Sequence, residues 1–243
     1  MENISQELKK DKYEELIQKI NKIFDILPLD YKWFIMEDEI IMCLYGLKAS
    51  IGIYFEGDTY NKDKFNIFKN AFIGTELKLS EIKDRQTGNS EGGNLSNFKE
   101  AKIYNPKILK EQSDNSEFCP KYDGKMDIYE YEKYAENAGY NKYAVNGKLF
   151  SYPESAISYF VERQINPELK LKPHSESHAY GESYMYAGGV ETPKDIVERE
   201  SAKRAFFTFL KLKRSFQNLQ DSDILKQSKD LWLTLRNKNK DLK

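Results

Sequence analysis

Apolar residues recur along this chain with two different periods, and the change from one to the other marks its first elements. Between Glu7 and Leu27, the residues Tyr13, Leu16, Ile17, Ile20, Ile23, Phe24 and Leu27 return at helical steps, with charges opposite. That is the stripe of an amphipathic helix, and Pro28, which cannot continue it, marks its end. The densest apolar run follows, from Tyr31 to Phe55. It predicts three short strands. Tyr31, Trp33 and Ile35 alternate with Lys32, Phe34 and Met36, and Glu37-Asp38 supplies a polar turn. Ile40–Tyr45 is apolar throughout. After Gly46, Leu47, Ala49, Ile51, Ile53 and Phe55 alternate with Lys48, Ser50, Gly52, Tyr54 and Glu56. Connections this short make neighbours antiparallel, so the run reads as a meander.

The pattern then predicts a helix over Asn61–Ile73, capped by Asn61, lined by Phe65, Phe68 and Phe72, and stopped by Gly74. Thr75–Ile82 reads as a strand and Arg85–Asn97 as an exposed, turn-rich loop. Lys99–Tyr122 has no period and receives no assignment. Met126–Ala138 reads as a helix carrying Tyr129, Tyr131 and Tyr134. Lys142–Tyr152 reads as a hairpin turning at Asn146-Gly147, because both positions tolerate positive φ. Ser151 is then expected to cap a helix over Pro153–Gln164, with Glu154 completing a capping box and Ala156, Ile157, Phe160 and Val161 inward. Pro167–Gly189 reads as loop. Thr192-Pro193 opens a long helix to about Asn218, and Asp221–Asn237 forms the last helix, with Ile224, Leu225, Leu231, Trp232 and Leu235 inward.

The expected fold is therefore α+β: an N-terminal antiparallel sheet packed by helices, then a mainly helical C-terminal half ending in a helical hairpin. Residues 1–84 are expected to hold helix, meander and helix, 85–98 the exposed loop, and 99–243 the mixed, mainly helical half. The two parts form either separate units or one continuous domain.

Composition narrows the class. Hydrophobic residues make up 40% of the 243 and aromatic residues 14%, which excludes a disordered chain despite 32% charged residues. A net charge of −1 excludes a polybasic binder acting with its whole surface. Cys43 and Cys119 are too few and too far apart for a disulfide framework, which favours a reducing compartment. The start, MENISQELKKDKYEEL, has no apolar signal core, and no run reaches the roughly 18 apolar residues of a membrane span. A cytoplasmic location without membrane contact is the expectation. The abundance of Lys, Asn, Ile and Tyr suggests an AT-rich bacterial or phage genome.

Three sets of residues carry candidate chemistry. Asp58 with Glu76-Leu77-Lys78 resembles in kind the Asp and Glu-x-Lys sets of metal-dependent nucleases, in which carboxylates hold Mg²⁺ and the lysine orients water. Glu-x-Lys also occurs at Glu81-Ile82-Lys83 and Glu168-Leu169-Lys170, so the motif is common in this chain. His174, Glu176 and His178 could share Zn²⁺ in a loop, although Ser175 stands where the two-histidine zinc helix has glutamate. Arg204, Phe207, Lys211 and Arg214 share one face of the Thr192 helix, a basic surface suited to phosphates with an aromatic that can stack. Together these point to an intracellular protein that interacts with nucleic acid, with a phage or defence nuclease as its enzymatic form. The rival is a non-enzymatic protein-binding module that uses Tyr180, Tyr184 and Tyr186 in the loop.

Overall fold

The computed structural model describes residues 2–36, 38–46, 48–87, 96–152, 154–166, 214 and 222–238. Its elements run α1 (Glu2–Ile26), α2 (Leu29–Met36), α3 (Asp38–Tyr45), β1 (Ser50–Glu56), a 3-10 turn (Gly57–Thr59) and α4 (Lys62–Ala71). There follow β2 (Lys78–Leu79), β3 (Lys83–Thr87), β4 (Ser96–Tyr104), α5 (Pro106–Asp114), α6 (Ile128–Asn137), α7 (Lys142–Leu149) and α8 (Glu154–Ile165). The last described helix, α9, spans Asp223–Asn237. The architecture is α+β, with an antiparallel sheet in the N-terminal half and a mainly helical C-terminal half. Apart from Arg214, the expected helix over 192–218, and with it the first arm of the hairpin, lies outside the described residues.

The chain forms two units of interleaved segments. One comprises Met1–Tyr45, Gly52–Tyr104 and Leu212–Lys243, and the other Gly46–Ile51 and Asn105–Lys211.

In the first unit, α1 buries Leu16, Ile20, Ile23 and Phe24 as its stripe requires, and Leu27 just past its end is buried with them. The expected meander is corrected in its first two strands, which are α2 and α3. Tyr31, Phe34 and Ile35 of α2 are buried at helical spacing, while Lys32 and Trp33 are half-exposed. Asp30 sits in the first turn of α2, where a carboxylate suits the helix dipole, and pairs with Lys64 at 2.7 Å. Ile40, Ile41, Met42, Cys43 and Leu44 of α3 are all buried. A helix covered all round shows no stripe, so its sequence cannot be told from a buried strand. The third expected strand is β1, and α4 begins where Asn61 Oδ1 accepts the amides of Asp63 and Lys64.

The sheet has the order β1-β4-β2, with β3 also paired to β4. Residues expected in the loop 85–98 thus belong partly to strands: Lys83–Thr87 pairs antiparallel with Ser96–Glu100. Lys78 lies opposite Tyr104, Leu79 opposite Ile103, and then Lys83 opposite Glu100. Ser80 continues the first register, since its amide donates to the Lys102 carbonyl at 2.9 Å. Between Ser80 and Lys83, two residues oppose Ala101 alone, which is a β-bulge. Ile51, Ile53, Phe55, Leu79, Ala101 and Ile103 are buried on one face. Phe55 there meets Tyr31 (5.7 Å), Phe34 (5.4 Å) and Trp232 (5.9 Å). In α9, Leu225, Ser228 and Trp232 are buried, whereas Ile224 and Leu231, expected inward, are exposed.

In the second unit, Asn105 caps α5 with Pro106 at its start, and Asp127 with Glu130 forms a capping box on α6. Tyr131 donates to the Pro120 carbonyl and Tyr122 to that of Met126. Burial pushes the Tyr122 hydroxyl up to about 12. The expected hairpin at Asn146-Gly147 is corrected: residues 142–149 form the helix α7, capped by Asn141. Gly147 serves close packing there, not a turn, since a Cβ would lie 2.7 Å from Ile157 Cγ1 of α8. Ser151 does not cap α8. It takes φ +61°, and its Oγ accepts the Ala49 amide at 2.8 Å.

Candidate nucleic-acid interface

The sheet decides which of the expected site residues can meet. The Ala49 carbonyl, just before β1, accepts from the Asn105 amide, just after β4, at 2.7 Å. At the other end, Tyr54 of β1 packs against Phe98 of β4 with ring centroids 5.7 Å apart. So β1 runs against β4, as β2 does, and the two flank it on opposite sides. Asp58 follows the end of β1, and Glu76 precedes the start of β2. The two carboxylates therefore lie at opposite ends of the sheet and are not brought together.

Each has a partner of its own. Lys238 lies 3.3 Å from Asp58. Lys19 lies 2.7 Å from Glu76 and 2.8 Å from Glu15. Burial disfavours the Lys19 ammonium, but these two carboxylates outweigh it and hold its pKa above the ordinary value. Lys78 is exposed at the start of β2. Among the described residues, no group of three or more His, Cys, Asp or Glu side chains is placed to hold a metal ion. His174, Glu176 and His178 lie outside the described residues, as do Arg204, Phe207 and Lys211. Arg214 is helical and exposed.

What the sheet does assemble is a polar face. Residues paired across antiparallel strands point to the same side. Lys78 with Tyr104 and Ser80 with Lys102 therefore share a side, as do Lys83 with Glu100 and Arg85 with Phe98. The bulge makes this possible. Without its extra residue, Lys83 and Arg85 would point to the apolar side. From β1, Gly52 and Tyr54 join this face, opposite in phase to the buried Ile51, Ile53 and Phe55.

The face carries Lys78, Lys83 and Arg85, which are exposed, and Ser80, Glu100, Lys102 and Tyr104, which are buried. Glu56, at the end of the β1 series, is matched by Arg236 at 2.8 and 3.1 Å. Glu100 is buried and accepts from Arg85 Nε at 2.7 Å. Lys78, Lys83, Arg85 and Tyr54 are exposed. Glu100-Ala101-Lys102 is a further Glu-x-Lys that motif reading missed. Its signal was the two-residue period of Phe98, Glu100, Lys102 and Tyr104 against Ala101 and Ile103.

No family model, no curated protein and no solved structure matches the chain.

Beside this face, where β1 ends, Asp58, Tyr60, Asp84, Asn97, Phe98 and Lys99 line an open cleft of about 440 Å³. Its charges are matched internally. Lys99 binds Asp84 and stands 5.2 Å over the Tyr60 ring, and Lys238 meets Asp58. The cleft borders the polar face at Phe98. Among the described residues, no helix is long and apolar enough to cross a membrane.

Proposed function

We propose that the protein binds nucleic acid through the polar face of its N-terminal sheet. The observation that carries this reading is the set Lys78, Lys83 and Arg85, exposed on one side of the sheet beside the aromatic pair Tyr54–Phe98. Lysine and arginine heads neutralise phosphates and release counterions, and aromatic rings accept bases, so the two kinds of side chain serve the two parts of a nucleotide. A net charge of −1 does not oppose this, because a local excess of cations is what a polyanion meets. Cys43 and Cys119 are buried free thiols, in keeping with a reducing cytosol as the place of action. Catalysis is not part of the proposal, since the carboxylates expected to hold Mg²⁺ lie at opposite ends of the sheet.

The test is salt-dependent binding of labelled oligonucleotides, followed by fluorescence anisotropy. Wild type should bind at low salt, with log affinity falling linearly against log salt. Lys78→Ala with Lys83→Ala should make that slope shallower by about 0.7–0.9 for each lost contact. An unchanged slope would remove this face as the contact surface. No binding even at low salt would end the reading and move a protein partner ahead.

A further inference from the structure

We infer that the nucleic acid is single-stranded and that one of its bases stacks on Tyr54. This rests on the proposed binding by the polar face and specifies the ligand of that face. The carrying observation is a glycine. A Cβ at Gly52 would lie 2.6 Å from Tyr54 Oη and 2.9 Å from its Cζ. The tyrosine ring therefore lies back along its own strand, over the bare backbone of Gly52, instead of standing off the sheet. Phe98 meets it from the neighbouring strand at 5.7 Å and 64°. The ring is held against the sheet and from the side, yet it stays 48% exposed.

Packed on Phe98 and lying over Gly52, the ring presents an aromatic surface beside cations. Gly52 keeps it so, because any side chain there would lift the ring. A base inside a duplex has both faces covered by its neighbours, so only an unpaired and unstacked base can lie on such a platform. Lys83 and Arg85 belong to β3, on the far side of β4 from β1. That puts them about 10 Å away, two strand spacings, where their long side chains reach the backbone of a nucleotide seated on Tyr54.

The experiment compares a labelled oligothymidylate with a hairpin duplex of the same number of phosphates, for wild type and three variants. Wild type should prefer the single strand. Tyr54→Ala should weaken single-strand binding about tenfold with little effect on the duplex, and Tyr54→Phe should retain it. Gly52→Val should weaken it like Tyr54→Ala although the tyrosine is still present. Valine suits a strand, and Gly52 does not take positive φ, so the variant should fold. In both weakened variants the salt slope should stay that of wild type, since no phosphate contact is lost. Equal binding of both probes by wild type, or single-strand affinity unchanged in Tyr54→Ala and Gly52→Val, overturns this inference and leaves nucleic-acid binding standing. No binding of either probe by wild type overturns both.

Discussion

Gly57 shows at residue scale how tightly the end of β1 is fitted to the rest of its unit. It has φ +59°, and a Cβ there would lie 2.7 Å from the Arg236 carbonyl oxygen and 2.9 Å from that of Leu235. Those atoms are backbone at the C-terminal end of α9, so they cannot swing aside. Gly74 has φ +86° but open space around its missing side chain. The pair separates two costs that are usually mixed. Gly74→Ala should lose about 1–2 kcal/mol, the steric cost of a left-handed backbone. Gly57→Ala should lose roughly 2–5 kcal/mol, because overpacking against fixed atoms adds to the same backbone cost. Urea melts of the two variants measure the difference. Equal losses would mean that the α9 backbone moves away from Gly57 at little cost.

At the scale of elements, α7 is the sharpest case, because one dipeptide supports two structures. In a type I′ hairpin, Gly147 would need positive φ, and alanine would cost stability in any background. In α7 its backbone is helical, and the nearest atoms a side chain would meet are those of Ile157. Gly147→Ala should thus destabilise the wild type by roughly 0.5–2 kcal/mol, overpacking outweighing the gain in helix propensity. In an Ile157→Ala background the same change should stabilise by about 0.5–1 kcal/mol. A double-mutant cycle read by denaturant melts checks the reversal of sign, and a loss in both backgrounds would restore the hairpin. The same physics explains what could be read from the sequence. α1, α4 and β1 each bury one side only, so their periods show. α2 and α3 are apolar over most of their surface and lose theirs. β3 is charged at Lys83, Asp84 and Arg85, which is how a sheet edge resists pairing but also how a loop looks. Tyr54 was legible as a polar-face residue from the phase of β1. The place of Lys83 and Arg85 beside it was not, because it depends on a one-residue bulge that appears only once β4 is paired.

Across the chain, the first unit brings residues late in the sequence against early ones. The first unit takes its sheet and first helices from residues before 105, but it is closed by α9, more than 100 positions later in the chain. Ser228 Oγ accepts the Trp33 amide at 2.8 Å, and Lys229 stands 4.8 Å over the Trp33 ring. Trp232 inserts among Phe34 at 4.4 Å, Phe55 at 5.9 Å and Tyr31 at 6.5 Å. An aromatic side chain burying 150–250 Å² contributes about 4–6 kcal/mol at about 25 cal/mol per Å². A whole domain is stable by only roughly 5–15 kcal/mol, so the loss of α9 removes a large share. The fragment 1–104 should therefore lack a cooperative urea transition by itself. A peptide of residues 222–238 should restore it in a saturable way, because it returns Trp232 to its site along with the Arg236–Glu56 pair. Tryptophan fluorescence follows the binding, since Trp232 arrives on the peptide and passes from water into a ring cluster. Trp232→Ala in the peptide should abolish the restoration, whereas Ile224→Ala, at an exposed position, should not. If 1–104 alone melts cooperatively, the first unit is complete without its C-terminal helix, and α9 is an attachment to it instead of its closing wall.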